Sequence, residues 1–372
     1  NMGGMSLDKM EIEIPPMEIF GTKASSDRVF IAFEATKTTM TEEMGGLDAY
    51  NVVKGEMKKL VNSLPSTILS NIMAYNIWNC HLFETCFPSL MPATAANKAT
   101  FETWINRINN DPLHPANLKP NLRVKEENIP PYANEHKYRY PGCGGMEHSI
   151  LGRYEIYQAA LESHAGAVWI LTLDWPLADE YIMPYLKTEE EIKKYNDTWK
   201  SNIEKAKEKG EFDENGWAKW QEACKPACEK ARQWLIAENK RRAAKGIPQM
   251  VEDNMLAVAD RLKIPHPPAP RHPDYYLPVN LLPKKKVYTK QSLYAAYEPL
   301  LKKNYDQNKL PRPTVNIILL MRRDGKFAFG LDGNSKKGKK KIAEARSWAK
   351  MNGKGTARIL RAAKPVSEFE DK

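Results

Sequence analysis

Apolar positions along the chain fall into helical, alternating and unpatterned stretches, and these set the first structural expectations. From Leu47 to Phe87 apolar residues recur at helical spacing, broken at Pro65 and ended by Pro88 and Pro92. A second helical piece runs through Phe101, Trp104, Ile105 and Ile108. Residues 111–131 are rich in Pro and Asn and poorly periodic, which predicts a loop. Helical patterning returns from about Glu147 through Leu151, Tyr154, Ile156, Tyr157 and Leu161. The apolar runs at 165–173 and 315–321 suit buried strands or helices. Residues 1–46 mix short apolar pieces with Pro15-Pro16 and a Thr-rich stretch, and read as an extended arm.

The texture changes over 187–245. Glu189-Glu190-Glu191 precede Lys193-Lys194, and Lys and Glu then alternate around widely spaced Trp199, Trp217, Trp220 and Trp234. This predicts an exposed, salt-bridge-laced helical pair whose tryptophans either pack their own hairpin or dock a partner. A compact helix follows at 251–262, and the prolines within 265–287 predict a stiff extended linker. Beyond it, 291–303 reads as a helix, 314–321 as a strand, Asp324-Gly325 as a hairpin turn and 326–331 as the return strand. A glycine-rich turn at 330–335 then opens a lysine-headed helix carrying Trp348.

With 372 residues the chain is long enough for two domains, and 42% hydrophobic against 27% charged residues excludes wholesale disorder. No apolar run approaches the roughly 20 residues of a membrane span. Five cysteines make no disulfide framework, and neither Cys80/Cys86 nor Cys224/Cys228 has a second pair at zinc-ligand spacing. His81 beside Cys80 sets a metal reading against a buried thiol, and the thiol is the expectation, with all cysteines reduced. Asn1 at the start is consistent with removal of a leading segment.

The net charge of +10 is unevenly placed. Residues 284–364 hold 22 Lys or Arg against 5 Asp or Glu, which leaves 1–283 and the tail after Lys364 mildly acidic. A concentrated basic end on an acidic body points to a phosphate-bearing partner, set against a merely solvated lysine run. Anionic lipid fits less well, because no long amphipathic helix with an aromatic face accompanies the charge.

The helix–strands–helix order over 288–352 resembles the double-stranded-RNA-binding domain. The family's stretch G-x-G-x-S-K-K-x-A-K-x-x-A-A is matched by Ser335, Lys336, Lys337, Lys340 and Ala343. The family's first-helix Glu is replaced by Ala295, and its Gly-Pro-x-His loop is shortened or missing. The resemblance implies that Ser335, Lys336, Lys337 and Lys340 meet phosphates of A-form RNA at a helix N-terminus, with Lys339 and Arg346 as further RNA-binding candidates. Helical geometry is expected to gather Lys336, Lys337 and Lys340 and to turn Lys339 and Lys341 elsewhere.

Upstream, Tyr132-Ala133-Asn134-Glu135-His136 resembles the stretch before the signature helix of ribonuclease III domains. Leu151-Gly152-Arg153-Tyr154-Glu155-Ile156 stands where that family has L-G-D-A-V-L, and 251–262 is similar to its N-E-x-L-A-x-x-A-x-x-L helix. The resemblance implies a mainly α body plus a small α/β C-terminal module of α-β-β-α order. Its parts would be an arm at 1–46, a helical domain at 47–264 with an insertion at about 176–245, a linker at 265–287, the RNA-binding module at 288–352 and a tail at 353–372.

Cleavage in that family needs clustered carboxylates that hold Mg²⁺. Met146, Ser149 and Arg153 stand at the acidic positions, and an arginine repels the ion it should bind, so no catalysis, metal or other cofactor is expected. The chain carries no GxSxG, HExxH or Walker loop, and Gly142-Cys143-Gly144-Gly145 reads as a flexible turn. The implied function is a non-catalytic grip on structured RNA, ribosomal RNA first, among neighbouring proteins. This is the role of the ribonuclease III-like proteins of the mitochondrial ribosome's large subunit, which places the chain in the mitochondrial matrix. The alternatives are a subunit of an RNA-processing or editing complex paired with an active nuclease, and an active double-strand-specific ribonuclease.

Overall fold

The computed structural model describes residues 14, 16–76, 82–130, 152–180, 188–281 and 286–362. A hairpin of β1 (Met17–Ile19) and β2 (Thr22–Ala24) leads into β3 (Arg28–Glu34), α1 (Gly46–Ser63), β4 (Leu69–Asn76), β5 (Leu82–Thr85), β6 (Met91–Pro92) and α2 (Ala95–Arg107). Then follow α3 (Arg153–Glu162), β7 (Ala167–Thr172), α4 (Glu189–Glu208), α5 (Gly216–Ala244) and α6 (Met255–Arg261). The last elements are α7 (Lys290–Leu301), β8 (Thr314–Met321), α8 (Lys336–Lys350) and β9 (Ala357–Arg361).

This is an α/β protein, which corrects the expected mainly α body with a separate α-β-β-α module. One seven-stranded sheet runs β5-β4-β3-β7-β8-β9, with β6 also paired to β4. β4, β3, β7, β8 and β9 are parallel neighbours, while β5 and β6 are antiparallel additions. Taken by chain order, the parallel strands lie 2-1-3-4-5 across the sheet, a doubly wound arrangement whose switch point falls between β3 and β7.

The reasons for the difference are local. β3 lies inside the segment read as an extended arm, yet it is the central strand. A strand covered on both faces carries a continuous apolar run with no alternation to mark it. Val29, Ile31 and Phe33 join one core layer, and Phe30 and Ala32 the other. β4 falls where helical spacing was read, since Ile72-Met73-Ala74-Tyr75 is apolar at every position and has no period. β8 does form at 314–321, but it pairs with β7 and β9 and not with 326–331. Gly325 turns the chain with a φ of 79°, and only the single bridge Lys326↔Asp332 follows. Phe327, 1% exposed, is drawn into the core, and a second turn at Gly330 redirects the chain toward α8.

α1 and α2 cover one face of the sheet, and α3, α7 and α8 cover the other. Trp348 fixes α8, its ring lying 4.7 Å from that of Tyr154, 5.5 Å from Tyr157 and 5.7 Å from Tyr294. The β1–β2 hairpin is tied to the sheet by Trp169 Nε1 donating to Thr22 Oγ1 (3.0 Å) and Asn316 Nδ2 donating to Lys23 O (3.2 Å).

α4 and α5 are long helices, as the Lys/Glu texture predicts, but Trp199 and Trp220 reach into the proline segment and do not pack a hairpin of their own. Buried Trp199 donates to Pro273 O (3.0 Å), and Trp220 to Pro267 O (2.9 Å). The proline segment is therefore the surface these indoles pack on. The segment is not the extended linker expected from its prolines: Pro267 lies in irregular backbone and Pro273 opens a 3-10 turn at Pro273–Tyr276, and both carbonyls accept from indoles. Among the described residues no helix is long and apolar enough to cross a membrane.

Candidate nucleic-acid interface

β7 and β8 end at the same edge of the sheet, because they are parallel. β7 runs on into residues 174–180, and β8 into the loop 322–335 that starts α8. Ser335 caps the helix: its Oγ accepts from Gly338 N (3.0 Å) and donates to Asp332 O (2.6 Å). Gly338 has to be glycine, since a Cβ there would stand 2.2 Å from Asp332 O. The cap and the close approach set the rotation of α8, and so decide which lysines face in.

The inward ones meet acids. Lys337 Nζ stands 3.1 Å from Glu180, Lys340 2.6 Å from Asp179, and Lys341 2.8 Å from Asp174 and 3.7 Å from Glu180. The hydrogen bond to Asp179 leads the causes that raise the Lys340 pKa above the ordinary lysine value. Lys341 is a buried residue, whereas Lys337 and Lys340 are exposed.

The other face is different. Lys336, Lys339, Arg346 and Lys350 are all exposed, spaced at helical intervals along one side with Ala343 between them. None has a carboxylate partner among the described residues. The expected grouping of Lys336 with Lys337 and Lys340 is thus not what the helix presents. Lys336 sits with Lys339 and Arg346, and Lys337 and Lys340 turn with Lys341 toward 174–180. Lys350 was missed, although it continues the i, i+4 step from Arg346.

Arg153, the position expected to have lost a metal-binding acid, belongs to a different structure. Its Nη2 lies 2.9 and 3.0 Å from the two carboxylate oxygens of Glu34, and its Nε donates to Thr172 Oγ1 (2.5 Å). Leu173 N donates to the same carboxylate (2.8 Å). Burial works against the Arg153 charge, but Glu34 and Asp174 outweigh it and hold its pKa above the ordinary arginine value. The switch point is therefore filled by a closed ion pair.

Met146, Ser149, Glu147, the 132–136 stretch, Gly142–145 and Cys80-His81 lie outside the described residues. Among those described, no three His, Cys, Asp or Glu side chains assemble as metal ligands. No protein-family model matches the chain, and no curated protein matches it.

Proposed function

We propose that this chain is a non-catalytic binding protein for structured RNA, which it grips by the phosphate backbone along the outer face of α8. The observation that carries this reading is the division of α8: its inward lysines are paired, and its outward cations are left for an external anion. From Lys336 to Lys350 the stripe rises about 21 Å along the helix axis. Long flexible cations at that spacing suit a phosphate backbone and do not reach base edges, so binding should be insensitive to sequence.

The test is fluorescence anisotropy with a labelled RNA duplex over a salt series. Each phosphate contact releases counterions, and the quadruple change Lys336→Ala, Lys339→Ala, Arg346→Ala and Lys350→Ala should lower the log–log salt slope by roughly 3. Affinity should fall about tenfold or more at low salt. Unchanged slope and affinity would remove α8 from the interface. Co-sedimentation of the endogenous protein with ribosomal subunits then separates a ribosomal setting from an RNA-processing complex.

A further inference from the structure

We propose that the cleft between α1 and the carboxyl end of α2 binds a small molecule through an oxyanion group, a phosphate or a carboxylate, held by Lys54 and Lys58. The cleft has a volume of about 390 Å³ and lies on the layer opposite α8. This is the size range of small-molecule sites. Its lining is Leu47, Asn51, Lys54 and Lys58 from α1, with Asn106 and Asn110 from α2 and the turn after it. The α1 residues follow one another at helical intervals, so they form a single stripe along one wall.

The chemistry of that lining is one-sided. Among the described residues it contains two cations and three amides, and no carboxylate. Lys54 is 4% exposed, and its Nζ donates to Ile108 O (2.9 Å); Lys58 Nζ donates to Asn106 Oδ1 (3.1 Å). Each ammonium has three donors and uses one of them on a neutral acceptor, which ties α1 to the end of α2; Lys54 also lies 5.6 Å from the centroid of the Tyr50 ring, and neither lysine has a carboxylate partner among the described residues. Burial, helped by the like charge of Lys58, lowers the Lys54 pKa to about 8. A buried ammonium with a second, half-exposed cation one turn away, facing a cleft whose lining holds no acid among the described residues, is the arrangement an oxyanion relieves. It would bridge both ammoniums while the amides take its remaining atoms. These residues lie on the opposite layer of the sheet from the α8 stripe.

Isothermal titration of the full chain with inorganic pyrophosphate, and in a second arm with citrate, tests the site. Saturable one-to-one binding is expected in at least one arm, and which arm responds assigns phosphate or carboxylate. Lys58→Ala should weaken that binding about tenfold or more, and Asn106→Asp, which places a carboxylate in the cleft, should abolish it. Both positions are on the surface side of their helices, so these variants keep the fold, which circular dichroism checks. The α8 quadruple variant should retain the anion site, and Lys58→Ala should retain duplex-RNA binding. No saturable heat in either arm would overturn the proposal, as would binding that survives both Lys58→Ala and Asn106→Asp.

Discussion

The carboxyl edge of the sheet and the outer face of α8 carry the same kinds of charged group and use them in opposite ways. At the edge, Glu34, Asp174, Asp179 and Glu180 meet Arg153, Lys337, Lys340 and Lys341, and each of these cations has a carboxylate against it. On the other side of the helix, Lys336, Lys339, Arg346 and Lys350 are exposed and have no carboxylate partner among the described residues. Charge count alone does not separate these sets. The difference lies in partners, and at Arg153 and Lys341 in burial as well: the paired set holds the fold, and an open stripe is available for binding.

Two measurements break or sharpen that contrast, and a third tests the Lys54 cleft. The largest effect is expected at Arg153. Arg153→Met leaves the Glu34 carboxylate buried with no guanidinium against it, and should destabilise the chain by about 3–5 kcal/mol in denaturant unfolding. A loss under about 1 kcal/mol would show that the pair is not a structural fixture of the switch point. Next comes the opposite manipulation, Asp179→Asn with Glu180→Gln, which frees Lys337 and Lys340 without adding a cation. Duplex RNA should then bind more tightly, with a salt slope steeper by about 1.5. An unchanged slope would mean that the inner lysines cannot reach an RNA held on the outer face.

The smallest effect concerns Lys54, whose pKa falls from 10.5 to about 8 through burial and the nearby Lys58. Below pH 8 the folded chain holds this proton against desolvation. Between 8 and 10.5 the folded state has released it while the unfolded state still binds it, so stability rises with pH through that window. Relative to Lys54→Met, the wild type should gain about 1–3 °C in Tm on going from pH 8 to pH 10. A flat difference would show that Lys54 titrates as an ordinary lysine.

Legibility in the sequence follows the range of the interactions. The helices α1, α2, α3, α7 and α8 are readable because their spacing is local, and the strand at 314–321 because β-branched and apolar residues cluster there. β3 is not readable from local pattern: its identity as the central strand comes from partners at 69–75 and 167–171. The likeness of 335–343 to an RNA-binding motif located α8 correctly as a lysine-headed helix, while the capping role of Ser335 comes from the structure. It implied the wrong surroundings, because the acids that neutralise Lys337 and Lys340 lie far upstream, Asp179 at a separation of 161 residues. Cap and charge run are local facts. Which lysines remain free is decided by tertiary contacts.

The order of strands has a consequence for how the chain is made. β3, β4 and β7 can assemble as soon as residue 172 has left the ribosome, but the next strand in the sheet is not synthesised until 314–321. Throughout that interval the edge of β7, Ala-Val-Trp-Ile-Leu-Thr, offers unpaired backbone groups on an apolar strand. The helices α4, α5 and α6 emerge meanwhile, with their own small cores around Leu235 and Val258 and around Trp199 and Ile203. A chain stopped anywhere in that excursion thus carries a nucleus for aggregation, and a nascent one depends on delay or shelter until β8 arrives to close the sheet.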